Sequence, residues 1–224
     1  MNHRILEGKA LLFTVLTVVA LLIGGLVELV PMIAVKANVP TIEEVKPYSP
    51  LEVYGRRLYL REGCYNCHSQ MIRPFRHETE RYGPYSKAGE FVYDHPFQWG
   101  SKRTGPDLHR LGGKYNHAWH YEHMIDPRST SEGSIMPAYP WMAEWTVNFD
   151  DIEAHVRAMA KVGVPYTDAE IAGAPAAAKA QAEEIVAELA KNGVTIDSDK
   201  ELVAMIAYLQ RLGVDGRDAE VGNE

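Results

Sequence analysis

The residues most able to do chemistry are two cysteines and a histidine near the first third of the chain. Cys64, Cys67 and His68 form a C-x-x-C-H sequence. This is the attachment sequence of a c-type haem, because both thiols can reach the porphyrin vinyl groups while the adjacent histidine reaches the iron. The sequence therefore predicts one covalent haem c, held by Cys64 and Cys67, with His68 as its proximal iron ligand.

Other uses of this motif are disfavoured by the rest of the chain. A structural zinc site needs about four ligands, usually two Cys or His pairs, and the chain has 2 cysteines in all. A thioredoxin-like dithiol requires a βαβ pattern, which is not visible around residues 50–80. If both thiols bind haem, the protein has neither a disulfide nor a free thiol.

The ligand on the other face of the haem decides whether the iron carries electrons or binds a substrate. Met71 lies too close to His68 in the chain to leave the proximal side. Met136 lies in a proline-stiffened loop long after the motif, and it is the predicted distal ligand. Met124 and Met142 are the alternatives, although a core position suits both better. A His/Met pair raises the reduction potential and leaves no open coordination site, which favours electron transfer.

Three histidines, at positions 117, 120 and 123, follow an H-x-x-H-x-x-H pattern. Three-residue spacing drifts around a helix with about 3.6 residues per turn, and neither a cysteine nor a carboxylate completes a metal site. The histidines are therefore interpreted as exposed or hydrogen-bonded side chains, and bis-histidine ligation of the haem stays open as an alternative. No catalytic centre is visible in the chain.

A long apolar segment near the start of the chain predicts a membrane anchor. Residues 10–35 contain a single ionisable residue, and they exceed the roughly 20 apolar residues that cross a bilayer. A cleavable signal sequence, the competing interpretation, has an apolar region of only about 7–15 residues. Because Arg4 and Lys9 precede the span, residues 1–9 are predicted to stay in the cytoplasm while the rest is exported. Pro31 is expected to bend or end the helix.

The charge distribution argues against nucleic-acid binding. Residues 37–149 hold 13 Lys+Arg and 13 Asp+Glu, whereas residues 150–224 hold 7 and 15. The acidic surplus thus lies in the last third of the chain, and no basic patch of the kind that binds nucleic acid is present. The acidic region is interpreted as a solvated surface.

Helix signals define both ends of the exported domain. Ser49 is predicted to cap a helix that has a capping box with Glu52 and ends at Gly63. A second capping box begins at Ser198 and predicts a terminal helix that Gly213 closes. Two helices placed in this way, one before the haem motif and one at the end of the domain, resemble the architecture of class I cytochrome c domains.

The predicted fold is therefore all-α, with one N-terminal transmembrane helix and a class I cytochrome c-like domain. Residues 36–48 are expected to link the anchor to the domain over residues 49–214, and residues 215–224 are expected to form a polar tail. Residues 165–197 are interpreted as a helical insertion on the outside of the domain. An interruption at residues 173–175 is expected to divide it into two helices.

The middle of the domain adds to this similarity. Gly105 and Pro106 resemble the cytochrome c turn whose carbonyl accepts a hydrogen bond from the proximal histidine. By this resemblance Pro106 supplies the carbonyl to His68, a bond that orients the ring and raises its basicity. A plain Gly-Pro turn is the alternative. Asn116 is predicted to cap a helix over residues 117–125.

Three longer segments carry a more specific resemblance. Together with the anchor, Leu60–Phe75, Trp99–Leu108 and Ser134–Tyr139 closely resemble the mono-haem subunit, subunit II, of cbb3-type cytochrome c oxidases. In that family the subunit is held against a multi-span haem-copper catalytic subunit that reduces oxygen, and a further cytochrome c subunit donates electrons. The resemblance implies that the haem here relays electrons into haem b on the periplasmic side of the bacterial inner membrane. It also implies a calcium ion near the haem propionates, to which the Ser101–Arg103 loop would contribute.

Two arginines near the haem elements, Arg73 and Arg103, are candidates to pair with the propionates, because arginine binds carboxylates in a bidentate manner. Ordinary surface or interface charges are the alternative.

Other functions also stay open at this point. The chain could be the small subunit of a nitric oxide reductase, a membrane-tethered electron shuttle, or an assembly protein with a structural haem.

Overall fold

The computed structural model describes residues 4–35, 41–98, 100 and 102–218. The chain divides into two compact units, Met1–Thr41 and Ile42–Glu224. Secondary structure in the described residues is helical, apart from one isolated antiparallel bridge between Thr146 and Lys200. The prediction of an all-α chain is confirmed.

The first unit consists of a short helix, α1 (Arg4–Glu7), and a long helix, α2 (Ala10–Ala34). Within α2, Ala10–Met32 is long and apolar enough to cross a membrane, judged by length and composition. Pro31 lies inside α2, which continues to Ala34, so the helix does not end at the proline, and a bend there stays a prediction. The proline removes only its own N–H from the helix, and its carbonyl still accepts the N–H of Val35 at 3.0 Å.

The second unit is built from helices around one apolar core. Its α-helices are α3 (Pro50–Arg61), α4 (Arg76–Tyr82), α5 (His117–Ile125), α6 (Pro127–Thr130), α7 (Ile152–Lys161), α8 (Asp168–Lys191), α9 (Glu201–Arg211) and α10 (Asp215–Asp218). Short 3-10 turns are formed by Cys64–Asn66, Ala88–Phe91, Pro140–Ala143 and Phe149–Asp151. The most extensive helix contact is between α3 and α9, and α7 and α8 pack beside α3.

Helix α3 positions the haem motif. The Ser49 hydroxyl accepts the Glu52 N–H, and the Glu52 carboxylate accepts the Ser49 N–H at 2.7 Å, so the predicted capping box is confirmed. Gly63 follows the helix with a φ of 70°, a left-handed conformation that residues with a Cβ adopt only at a cost. The chain therefore leaves α3 at Gly63 and turns at once into the Cys64–Asn66 turn.

Gly55 allows α3 to cross α9 closely, and this gives a testable prediction. A Cβ added at Gly55 would lie 2.8 Å from Tyr208 Cβ and closer still to the carbonyl oxygen of Ala204. Gly55→Ala is therefore expected to lower the free energy of unfolding by about 1–3 kcal/mol, the usual cost of overpacking a core. Thermal melting in detergent measures this loss.

Gly173 in α8 provides the matched control, because nothing lies within 4 Å of a Cβ added there. Gly173→Ala is expected to stabilise the chain by about 0.5–1 kcal/mol through helix propensity alone. Equal melting temperatures for the two variants would contradict the close crossing at Gly55.

The start of α9 differs from the prediction. The helix begins at Glu201, and Ser198 does not cap it. Backbone pairing takes the place of the side-chain cap, because the Glu201 N–H donates to Trp145 O at 3.0 Å and the Val147 N–H donates to Asp199 O at 2.6 Å. The start of α9 is thus fixed by a distant loop rather than by its own local sequence.

Helix α8 is one continuous helix, so the expected interruption at residues 173–175 is wrong. Pro175 removes a single helical hydrogen bond, and burial of the apolar side chains along one face stabilises the continuous helix. This face is formed by Ile171, Ala174, Ala178, Ala182, Ile185 and Leu189, all buried in the same cluster as the α3 and α9 side chains. The alanine-rich segment is therefore a core element rather than a surface excursion.

Candidate haem-binding site

A cavity of about 540 Å³ lies beside the C-x-x-C-H motif. Its walls include Cys64, Cys67 and His68, the turn over residues 104–108 and the loop over residues 131–137. Sites for cofactors and other small molecules typically measure about 300–1,000 Å³. The structure thus brings both thiols and the imidazole of the motif to one cavity of suitable size.

The motif is shaped by a tight local turn. The N–H groups of Cys67 and His68 both donate to the carbonyl oxygen of Cys64, at 3.1 Å and 3.0 Å. The two cysteines do not form a disulfide with each other, so both sulfurs can take part in thioether bonds. Two thiols that share one turn and one cavity can both be reached by the vinyl groups of a single porphyrin.

Two orphaned polar atoms test whether the cavity fits a haem. Among the residues that the structure describes, Tyr59 Oη and His120 Nε2 are buried without a hydrogen-bond partner, and both side chains line the cavity. An unpaired buried group of this kind costs about 1–3 kcal/mol, so each atom marks a place for a further polar group. Burial lowers the pKa of His120 to about 4, so its neutral ring can donate a hydrogen bond. The thiols, the imidazole and these two atoms together fit a haem with its polar propionates.

The predicted proximal histidine, His68, contacts the turn over residues 104–108. His68 Nδ1 lies 2.8 Å from the carbonyl oxygen of Pro106, the contact that the sequence resemblance implied. A Cβ at position 105 would lie 2.7 Å from the same nitrogen, so only glycine leaves room for the ring. When Nδ1–H donates to this carbonyl, Nε2 keeps the lone pair that a metal ion binds.

Four methionines are candidates for the distal ligand, and they differ in whether they line the cavity. Met136 and Met124 line the cavity, whereas Met71 and Met142 do not. Met142 is fully buried in the apolar core. The loop that carries Met136 is stabilised locally, because the Met136 N–H donates to Ser134 Oγ at 3.2 Å. Met136 as the iron ligand stays a prediction, and of the other three only Met124 also lines the cavity.

The three histidines of α5 have different surroundings. His120 and His123 line the cavity, whereas His117 contacts Gln210 at 3.0 Å and Glu188 at 3.3 Å. In the part of the chain that the structure describes, no group of three or more His, Cys, Asp or Glu residues could hold a metal ion. Bis-histidine ligation through His120 or His123 stays open as an alternative.

The structure does not bring Arg73 and Arg103 to the cavity. Both guanidinium groups bind the carboxylate of Glu78, which is 1% exposed: Arg73 Nε donates at 2.5 Å and Arg103 Nη2 at 2.7 Å. These two arginines are thus already paired within the protein. The cations at the cavity are instead Arg81, Arg110 and Lys114.

Of these three, Arg110 binds Glu90 and so has its own partner. Arg81 and Lys114 form no ion pair in the described parts of the chain, and each lies over a tyrosine ring, at 5.3 Å and 5.4 Å. They are better placed than Arg73 and Arg103 to meet a propionate. Neither has a motif around it, so sequence reasoning had no signal that would have found them.

The pairing of Glu78 predicts how stability depends on pH. Its hydrogen bond from Arg103, supported by Arg73, lowers the pKa of Glu78 to about 2, whereas glutamate in an unfolded chain titrates at about 4.3. A depressed folded-state pKa contributes stability above the unfolded value and loses it as pH falls. The melting temperature of the wild type should therefore approach that of Glu78→Gln between about pH 4.3 and pH 2.

Glu80 serves as the control for this experiment. It pairs with Arg76 at 2.7 Å, but both side chains are exposed, so the pair contributes little. Glu80→Gln should melt like the wild type throughout the same pH range. A Glu78→Gln chain as stable as the wild type at pH 7 would contradict the structural role of this carboxylate.

The calcium ion that the resemblance implies stays a prediction. Ser101, one of the residues expected to contribute to it, lies outside the described residues. Arg103 of the same loop donates its guanidinium hydrogen bonds to Ser69, Met71 and Glu78.

Comparison with known proteins agrees with the geometry of the site. The family model described as cytochrome c oxidase, mono-haem subunit/FixO, matches residues 3–215, which include the anchor, the motif and helix α9. The comparison with curated proteins gives no match. The family match confirms the resemblance seen in the sequence segments, and it implies one haem c and a place in a cytochrome oxidase complex. The chain belongs to the cytochrome c oxidase mono-haem subunit (FixO) family.

Proposed function

We propose that this chain relays electrons, through one haem c, from a donor cytochrome c subunit to the haem-copper catalytic subunit of a cbb3-type oxidase. The observation that carries the proposal is the shared cavity of Cys64, Cys67, His68 and Met136, found in a chain of the mono-haem oxidase subunit family. The family description names an oxidase, which favours this function over a nitric oxide reductase, a free shuttle or an assembly protein.

The protein groups around the cavity each have a defined task in this proposal. When bound, haem c supplies reversible one-electron redox chemistry. Cys64 and Cys67 would hold it covalently, and His68 and Met136 would bind its iron. Pro106 orients the His68 ring through the 2.8 Å contact to Nδ1. Because a thioether ligand raises the reduction potential, the site is suited to accept electrons from a donor and pass them on.

Catalysis is assigned to the partner subunit rather than to this chain. With His68 and Met136 as its two ligands, the haem iron would have no coordination position open to oxygen. The motif edge of the cavity reaches the surface, since Cys67 and Tyr65 are exposed. An edge exposed in this way allows electrons to enter or leave without a substrate channel. Oxygen reduction therefore takes place at haem b3 and copper in the multi-span catalytic subunit.

The first unit supports the membrane arrangement of the proposal. Helix α2 spans the bacterial inner membrane and contacts lipid, residues 1–9 are cytoplasmic, and the haem domain is periplasmic. Arg4 and Lys9 before the span support this orientation through the positive-inside rule. The covalent haem supports it as well, because c-type haem is attached on the outer side of the membrane.

Purification of the tagged chain from native membranes tests the proposal. We expect a complex with haem c and haem b signals in the dithionite-reduced spectrum and with cyanide-sensitive oxygen uptake. A parallel purification from a strain with the untagged chain controls for nonspecific binding. Recovery of haem c alone, or of a complex with b-type haem that reduces nitric oxide but not oxygen, would contradict it.

A further inference from the structure

A buried carboxylate next to Pro106 connects the two segments that orient His68. Asp107 Oδ2 accepts hydrogen bonds from the Ser69 hydroxyl at 2.6 Å and from the Met71 N–H at 2.9 Å. Its Oδ1 accepts the His109 N–H at 2.9 Å. The side chain is 7% exposed. One carboxylate therefore ties the chain after His68 to the turn that carries the Pro106 carbonyl.

Backbone pairs on both sides of His68 strengthen this connection. The Gly105 N–H donates to Cys67 O at 2.9 Å, and the Leu108 N–H donates to Ser69 O at 2.8 Å. His68 lies between these two pairs. Its ring can keep its place against the Pro106 carbonyl only while both segments stay in register.

Ser69 links Asp107 to the ion pair between Arg103 and the buried Glu78. Its hydroxyl donates to Asp107 and accepts Arg103 Nε at 2.6 Å. Arg103 in turn binds Met71 O at 2.8 Å and the buried Glu78 carboxylate at 2.7 Å. Ser69 is 2% exposed, so solvent cannot replace these bonds.

We propose that Asp107 and Ser69 are positioning residues that fix the hydrogen bond between His68 and Pro106 and thereby set the reduction potential of the haem. The inference rests on His68 being the iron ligand of the proposed function. A firm bond from Nδ1–H to the carbonyl raises the electron density on the ring, which favours oxidised iron and lowers the potential. Replacing either Asp107 or Ser69 should weaken the bond between His68 and Pro106 and so raise the reduction potential.

The full chain, purified in detergent with its haem, is the material for the test. Ser69→Ala removes the hydrogen bonds of the hydroxyl to Asp107 and Arg103 without a change of charge. Asp107→Asn alters the hydrogen bonds of the carboxylate and removes its negative charge. Asp94→Asn is the matched control, because Asp94 is a buried carboxylate bound to Arg56 at 3.1 Å and does not line the cavity. The two readouts are the midpoint potential and the NMR exchange rate of the His68 Nδ1 proton in the reduced state.

For Ser69→Ala we expect a higher potential, with the oxidised-to-reduced ratio changed up to roughly tenfold, equal to about 59 mV for one electron. The Nδ1 proton should exchange roughly tenfold faster as the bond loosens. Asp107→Asn should shift both readouts in the same direction, and Asp94→Asn should leave both at the wild-type values.

Three results would overturn the inference. The first is an unchanged potential and exchange rate in Ser69→Ala. The second is a potential shift in Asp107→Asn alone, which would be a simple charge effect. The third is a potential shift in Asp94→Asn equal to that in Asp107→Asn. Both readouts belong to the haem of this chain and need no partner subunit. A failure of the oxidase assignment would appear instead as missing oxygen uptake in the purified complex, so the two failures can be told apart.

Discussion

A chain with Cys64→Ser and Cys67→Ser is expected to lose its covalent haem completely, from one haem per chain to none. Serine hydroxyls do not form the thioether bonds that thiols form with porphyrin vinyl groups, and the chain has no other cysteine. Haem staining after denaturing electrophoresis measures the loss directly. Oxygen uptake by the assembled complex should fall with it, since the proposed relay is then missing.

The same variant should also be less stable. Without haem, the cavity of about 540 Å³ is left to water, and Tyr59 Oη and His120 Nε2 have no protein partner to satisfy them. Tyr65→Phe is the control, because it lies between the two cysteines and is 40% exposed. That variant should keep both the haem and the melting temperature. Haem that stays covalently bound to the double serine chain would contradict the attachment site.

Met136→Leu is expected to leave the haem attached and to lower its reduction potential. Leucine is close to methionine in volume, so the loop should keep its packing while the sulfur ligand is lost. Loss of the thioether removes the ligand that raises the potential and opens one coordination position. A redox titration of the purified chain measures the shift, and turnover of the complex should slow because electrons reach a less favourable acceptor.

The other methionines serve as controls for this assignment. Met124→Leu tests another methionine that lines the cavity, and Met142→Leu tests a core residue that is 0% exposed. Both variants should keep the wild-type potential. An unchanged potential in Met136→Leu, or a lowered potential in Met124→Leu instead, would show that the ligand has been assigned to the wrong residue.

Local chemistry explains which parts of the fold the sequence could predict. The capping box of Ser49 and the cap at Asn116, which accepts the Trp119 N–H at 2.8 Å, each involve residues only three positions apart. Leu51, Tyr54 and Leu58 follow the helical period along α3, and all three are buried. Signals of this kind lie within one or two helical turns, so they can be read from the sequence without knowledge of the fold.

The rest depends on contacts between distant segments. The start of α9 is set by backbone pairing with residues 145–147, and the path of α8 through Pro175 is set by its buried alanine face. The pairing of Arg73 and Arg103 with Glu78 could not be foreseen, since nothing in the sequence places that carboxylate between them. Tyr59 was not predicted at the cavity, and His120 was predicted there only as an alternative iron ligand, because only the folded chain shows that their polar atoms lack partners.

The most direct test of the relay is rapid mixing of the fully reduced oxidase complex with oxygen, followed at the haem c absorbance. We expect the haem c of this chain to be oxidised within the first turnover, and this phase to change in rate in a complex that carries Met136→Leu. The difference in rate between the wild-type and Met136→Leu complexes distinguishes the absorbance change of this haem from that of the haems in the donor subunit. Oxygen consumption at the normal rate while this haem c stays reduced would contradict the account.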